Sequence, residues 1–212
     1  MIEAKIHLSA KEMELVMNAD WILTKNSIME KAKYLLENLQ QQMHGRLNPG
    51  FHDKKPEDIY GTPKISKGEN YKGLPYLVLD YPRVFQKDNT FAIRTMFWWG
   101  NFFSSTLHLS GSYKQQTEKK IIAGLDFLKK HDFRVCISED EWEHHFETTN
   151  YIPLKDLTNT ESGKIIKEKR FVKIATQTPL SQWNNAEKNL LSNFELLTGM
   201  LKINFPGDEK AL

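Results

Sequence analysis

A single cysteine, Cys136, stands among 212 residues, so no internal disulfide can staple this chain. It lies in the apolar run FRVCIS, where a small buried hydrophobe is expected rather than a nucleophile. No apolar run approaches the roughly 18 residues that a membrane helix requires. The opening residues, MIEAKIHLSAKE, lack the basic start, apolar run and cleavage site of a signal peptide. Together these absences predict a cytoplasmic protein without a membrane partner. The net charge is only +2, too small by itself to point to nucleic acid or an acidic surface. GxSxG, Walker A, HExxH and the dinucleotide-binding glycine pattern are all missing. The seven histidines are scattered, so no triad can be assembled from them. No cofactor and no known family is indicated by any motif.

What is present fits an ordinary globular chain, with 40% hydrophobic and 26% charged residues. Ser9 and Glu12 form a capping-box pattern that opens a short helix to about Asn18. A longer helix is expected from about Asp20 to Met43, where Trp21, Ile28, Ala32, Leu35, Leu36, Leu39 and Met43 form an apolar stripe before Gly45. Leu74–Tyr81 reads as a strand, with Pro75 at its start and Pro82 just past its end. Further helices are expected over 114–130 and from Ser181 onward, with strands near 133–137 and 171–177. A second capping-box pattern, Ser138 to Glu141, predicts a short helix to Phe146. Thr158–Lys169 is polar and only weakly helical. The expected fold class is α+β: an antiparallel sheet, with a three-strand meander over about 74–110, flanked by helices. One domain is expected over 1–212, with a helical part (9–44), a long basic loop (45–75), a sheet-and-helix body (76–202) and a frayed tail (203–212).

The richest segment is Phe91–Leu109, FAIRTMFWWGNFFSSTLHL. Two β-favouring runs around Gly100-Asn101 predict a two-residue hairpin, because such turns need positive φ. In that register Trp98 faces Phe103 and Arg94 faces Leu107. Arg94 and His108 then lie on opposite faces, and neither face is polar enough for water. The face carrying Phe97, Trp99 and Phe102 calls for a cover: a second copy of the chain, the 45–75 loop, or an apolar ligand.

Residues 45–75 hold five of the eleven glycines and four of the eight prolines, with interleaved lysines and aromatics. A connection this long in a compact domain is usually functional or disordered, and its aromatics favour a packed loop. Lys64, Lys67 and Tyr71 could serve a nucleic acid, but Asp53, Glu57, Asp58 and Glu69 cancel the charge and argue against it.

Arg94 interrupts an apolar strand, so it needs a partner, either Asp80 or an anionic ligand. Glu141, Glu143, His144, His145 and Glu147 form a candidate metal cluster in which Glu141 and His145 would sit one turn apart on a helix, a weak pattern with no second half, so no metal is expected. The candidate ligand-binding residues are Arg94, His108, Lys64, Lys67, Tyr71, Trp99 and Phe102. The leading expectation is a non-catalytic binding or interaction domain using the aromatic hairpin and the 45–75 loop, with a homodimer or a small apolar or anionic ligand as partner. The competing one is an enzyme on a small anionic substrate, with Arg94 and loop lysines as anion holders and a histidine as acid–base.

Overall fold

Alternating residues over 64–110 build one continuous antiparallel sheet rather than an isolated hairpin. The computed structural model describes residues 6–47 and 60–201. The expected tail (203–212) and the 48–59 part of the expected loop lie outside the described residues. Two helices lead, α1 (Ala10–Met17) and α2 (Ala19–Arg46). Strands β1 (Lys64–Tyr71), β2 (Leu74–Gln86), β3 (Asn89–Trp98) and β4 (Phe102–Ser110) follow, then α3 (Gly111–Ala123) and α4 (Leu125–Lys130). The rest comprises β5 (Arg134–Cys136), β6 (Tyr151–Pro153), α5 (Asn159–Glu168), β7 (Phe171–Pro179) and α6 (Ala186–Met200). The seven strands form one antiparallel sheet in the order β1-β2-β3-β4-β7-β5-β6. The α+β expectation holds.

Among the described residues, helices cover one face only. Leu77, Leu79, Ile93, Phe97, Phe103, Leu107 and Ile174 point into a core shared with Leu36 and Leu39 of α2 and Leu190 and Phe194 of α6. The expected stripe of α2 is buried from Met29 to Met43, but Trp21, expected at its start, is 52% exposed. The opposite face carries Asp80, Arg94, Thr106, His108 and Lys173 and is crossed by the β5–β6 connection, residues 137–150.

The hairpin register differs from expectation by one residue. Trp98 pairs with Phe102 and Arg94 with Thr106, so the loop is Trp99-Gly100-Asn101. The Asn101 amide donates to the Trp98 carbonyl at 3.1 Å. Gly100 alone takes the left-handed conformation, at φ +71°, whereas a two-residue type I′ turn would require it of Asn101 as well. Because side chains alternate, this slip moves His108 to the same face as Arg94.

Other expectations are corrected too. Lys64–Tyr71 is not loop but the edge strand β1, its lysines and glycine suiting an edge that must not pair with another chain. Strand β2 runs through Pro82 to Gln86, and the ladder is interrupted between Asp80 and Arg83, where a proline does least harm. The three-strand meander expected over 74–110 is present, and β1 extends it to four strands. Helix α2 passes Gly45 and ends at Arg46. The helix expected over 114–130 breaks at Gly124 into α3 and α4. Helix α5 forms behind a full Thr158–Glu161 capping box.

The aromatic hairpin is covered by its own chain. Phe97 lies 5.2 Å from Phe103 and 5.8 Å from Trp183, ring to ring, and Phe102 lies 5.0 Å from Phe146. This corrects the expectation that Phe97, Trp99 and Phe102 form one face needing a second copy, the 45–75 loop or an apolar ligand. Phe102 stands on the other face from Phe97, and Trp99 sits in the turn, partly buried against the helix-side core.

Candidate functional site

The polar face is organised by register. Lys64, Asp80, Arg94, Thr106 and Ala175 form one row across β1, β2, β3, β4 and β7. Ala92, His108 and Lys173 form a neighbouring row. Arg94 and Asp80 meet as a bidentate pair, Nε to Oδ1 at 2.8 Å and Nη2 to Oδ2 at 2.9 Å. Asp80 is therefore Arg94's internal partner, a geometry that satisfies a carboxylate well.

Residues 137–150 lie over these rows as a strap, not as a helix. Ser138 and Asp140, expected to open a helix, instead close local turns: Ser138 Oγ accepts from the Asp140 amide and Asp140 Oδ1 from the Trp142 amide. The reason is what the strap must reach. The Tyr71 hydroxyl accepts from the His144 and His145 amides at 2.7 and 3.0 Å and donates to Glu143 at 2.8 Å. Lys173 Nζ donates to the Glu143 carbonyl. Asn150 Nδ2 donates to the His145 carbonyl at 2.6 Å, and Phe146 stacks on Tyr151 at 4.8 Å. Tyr71 takes backbone donors, and Lys173 and Asn150 take backbone acceptors, that a helix would use.

The strap puts its own titratable groups onto the sheet. His144 Nε2 lies 3.0 Å from Arg94 Nη1; the guanidinium can only donate, so Nε2 accepts and the imidazole is neutral. His108 Nε2 donates to Glu141 at 3.0 Å, and Arg170 reaches the other Glu141 oxygen at 3.1 Å. Glu141 and His145, expected on one helical face, are held apart in roles: His145 Nε2 faces Glu143 at 3.3 Å. Among the described residues no three His, Cys, Asp or Glu side chains are gathered to hold a metal ion.

Burial dominates the electrostatics. It pushes His108 down to about 3, with the charges of Lys173 and Arg94 acting the same way. His144 is lowered well below the usual range, first by burial and then by Arg94. Lys173, 1% exposed, is pulled down to about 8, mainly by desolvation. Tyr71 is raised to about 12, first by burial. The Cys136 thiol is also raised by burial, so it stays protonated and unreactive.

Lys173 carries a test. Its folded value lies below the 10.5 of the unfolded chain, so below pH 8 the fold bears the full cost of a buried ammonium. Wild-type stability should rise between pH 8 and 10 as the folded lysine loses its proton first. Lys173→Met should gain about 1–3 kcal/mol at pH 7 and flatten that rise. Urea midpoints across this range check both; a less stable Lys173→Met would make the Glu143 contact worth more than the desolvation.

A cavity of about 350 Å³ opens onto the first row. Asp80 and Arg94 floor it with Val78, Tyr71 and Tyr76 form a wall, and Trp142 and His144 close the strap side. Trp142 is half exposed and lies over Arg94, 5.7 Å from its guanidinium carbon. The Tyr76 ring lies directly on Gly68, where a Cβ would come within 2.3 Å of it. Only glycine admits that wall. A second cavity, about 390 Å³, flanks the other edge of Trp142, beside Glu141 and Arg170. A larger groove of about 720 Å³ between α3 and α6, lined by Ala123, Phe127, Leu196 and Met200, lies away from these converging polar groups.

Of the residues singled out from sequence, the structure brings Arg94, His108 and Tyr71 together under or beside the strap. Lys64 stands at the end of the same row. Lys67 projects from the other face of β1 and pairs with Glu69 at 2.8 Å. Trp99 belongs to the turn, and Phe102 supports the strap through Phe146. Sequence reasoning named His144 only within a weak metal cluster, and it missed Trp142 and Lys173 as residues of this site. A lysine at the centre of the alternating run Phe171–Gln177 was the available signal for the last. Neither protein families, curated proteins nor solved structures give a match to the chain.

Proposed function

We infer that this protein is a binding module for a small, planar ligand carrying a hydrogen-bond acceptor or carboxylate, held in the cavity between Tyr76 and Trp142. One observation carries it: Arg94, clamped by Asp80 and His144, still lines an aromatic-walled cavity. Its Nη1 and Nη2 each hold one N–H beyond those bonds, in an orientation that the clamp fixes. A preset donor pair between flat rings suits a flat acceptor, since such a site has little to reorganise on binding. Lys64, at the end of the row, adds positive charge at the rim.

Acid–base catalysis has less support. The accepting nitrogen of His144 is occupied by Arg94, and His108 donates to Glu141. Both imidazoles are neutral far from a working pH, where a general base must titrate. Lys173, with its value near 8, faces a backbone carbonyl and is not among the residues lining the cavity.

Benzoate is the probe. It should quench Trp142 emission with a dissociation constant of about 1 mM, as expected for a fragment of its size. Trp142→Phe should remove the signal, and Arg94→Met should abolish saturation. Equal quenching by benzoate in wild type and Arg94→Met would remove Arg94 from the site and this function with it.

A further inference from the structure

The apolar surface that no part of the described fold covers lies on the N-terminal helices, far in sequence from the cavity. Helix α1 has a complete capping box, with the Glu12 carboxylate on Ser9 and the Ser9 hydroxyl on the Glu12 amide, yet none of its residues is buried. An eight-residue helix is not stable alone in water, so it needs packing to persist. Its Met13, Val16 and Met17 are 47%, 69% and 78% exposed. The first turns of α2 continue the patch with Trp21 at 52% and Leu23 at 60%, and the first buried residue of α2 is Met29. Nine of the twelve exposed large hydrophobics among the described residues fall between Ile6 and Leu23. They are concentrated in one stretch of the chain, and Leu15, Val16, Trp21 and Ile22 line a shared groove between the two helices.

We propose that this helical arm is the interface of a homodimer, formed by two-fold packing of α1 and the start of α2 against the same segment of a second copy. The area fits. The nine residues expose on the order of 1,000 Å² in all, the same order as the roughly 800 Å² per partner of a standard interface. The charge fits as well. Lys11 and Lys25 stand against Glu12, Glu14 and Asp20, so the segment does not strongly repel its own copy. A two-fold contact demands that self-compatibility. The same balance disfavours a membrane surface, since helices that lie on anionic lipid carry an excess of Lys and Arg. Lys25, bonded to Glu69 of β1 at 2.9 Å, ties the arm to the sheet edge and limits where the partner can sit.

Sedimentation equilibrium of the full chain at micromolar concentration should give twice the monomer mass. Met17→Glu with Leu23→Glu should weaken association at least a hundredfold while leaving the near-ultraviolet circular dichroism of the sheet unchanged. The milder pair Met17→Ala with Leu23→Ala should fall between, which guards against a charge-induced folding defect. A wild-type monomer up to high micromolar concentration overturns the proposal, including one that binds phosphatidylcholine–phosphatidylserine vesicles through this arm. So does a dimer whose dissociation constant is the same in both variant pairs.

Discussion

Lowering the pH from 7 to 5 is expected to remove about 2 kcal/mol of folding stability through His108, with His144 acting in the same direction. In the unfolded chain His108 and His144 take up protons near pH 6.5. In the fold His108 stays neutral down to about 3, and His144 is also held well below its usual value. The unfolded state therefore binds more protons throughout this window, and stability falls as pH falls. His108 contributes about 1.4 kcal/mol per pH unit below 6.5 and nothing above it, and His144 adds to the same loss. Glu141 pulls the other way on His108, but it is shared with Arg170, and burial still dominates. The ordinary carboxylate range begins only near pH 4.5, so the window isolates the imidazoles. Urea unfolding at pH 7, 6 and 5 measures the slope, and His108→Gln with His144→Gln should flatten it. A wild type equally stable at pH 5 would mean that water reaches both rings beneath the strap.

The two histidines share a fate that depends on one residue of register. Placing Gly100 and Asn101 alone in the turn satisfies the commonest hairpin rule, and it separates Arg94 from His108. The chain itself held a stronger signal. Only the observed register sorts Phe91, Ile93, Phe97, Phe103, Leu107 and Leu109 onto one face and Arg94, Ser104, Thr106 and His108 onto the other. Burial of a whole face outweighs the choice of turn, because a slip turns every side chain over. The helical stripes of α2 and α6 were legible for the same reason: apolar spacing reports burial directly.

The strap was not legible, and the cause is physical. Ser138 to Glu141 carries a helix-opening pattern, and local propensity favours it. The contacts that overrule it come from Tyr71, Lys173 and Asn150, only the last of which is near in sequence. Strand β1 was obscured by its charge, since an edge strand shows less apolar alternation than a central one. Both misreadings fall on the segments that wall the cavity. Local rules are expected to fail where a surface is shaped by groups other than core hydrophobes.

Breaking the Arg94–Asp80 pair from either side should cost about 3 kcal/mol, because each removal leaves the other, mostly buried charge unpaired. Asp80 is 6% exposed and the Arg94 side chain 16% exposed, so solvent can compensate neither well. Arg94→Met keeps length and apolar bulk; Asp80→Leu does the same for the carboxylate. Combined, they should recover most of the loss, since two well-packed hydrophobes replace two charges without an orphan. Recovery should fall short by about 1 kcal/mol, because His144 Nε2 loses the donor it accepts from. Chemical denaturation of the four proteins gives the coupling energy. Additive effects would show that the two charges are satisfied separately, by solvent or by other groups, and that the clamp orienting Arg94 is not rigid. With strong coupling, the double variant becomes the decisive protein for function: folded, with both aromatic walls intact, and expected to ignore benzoate. Benzoate binding by that protein would trace recognition to Tyr76 and Trp142 alone, leaving the guanidinium with a purely structural role.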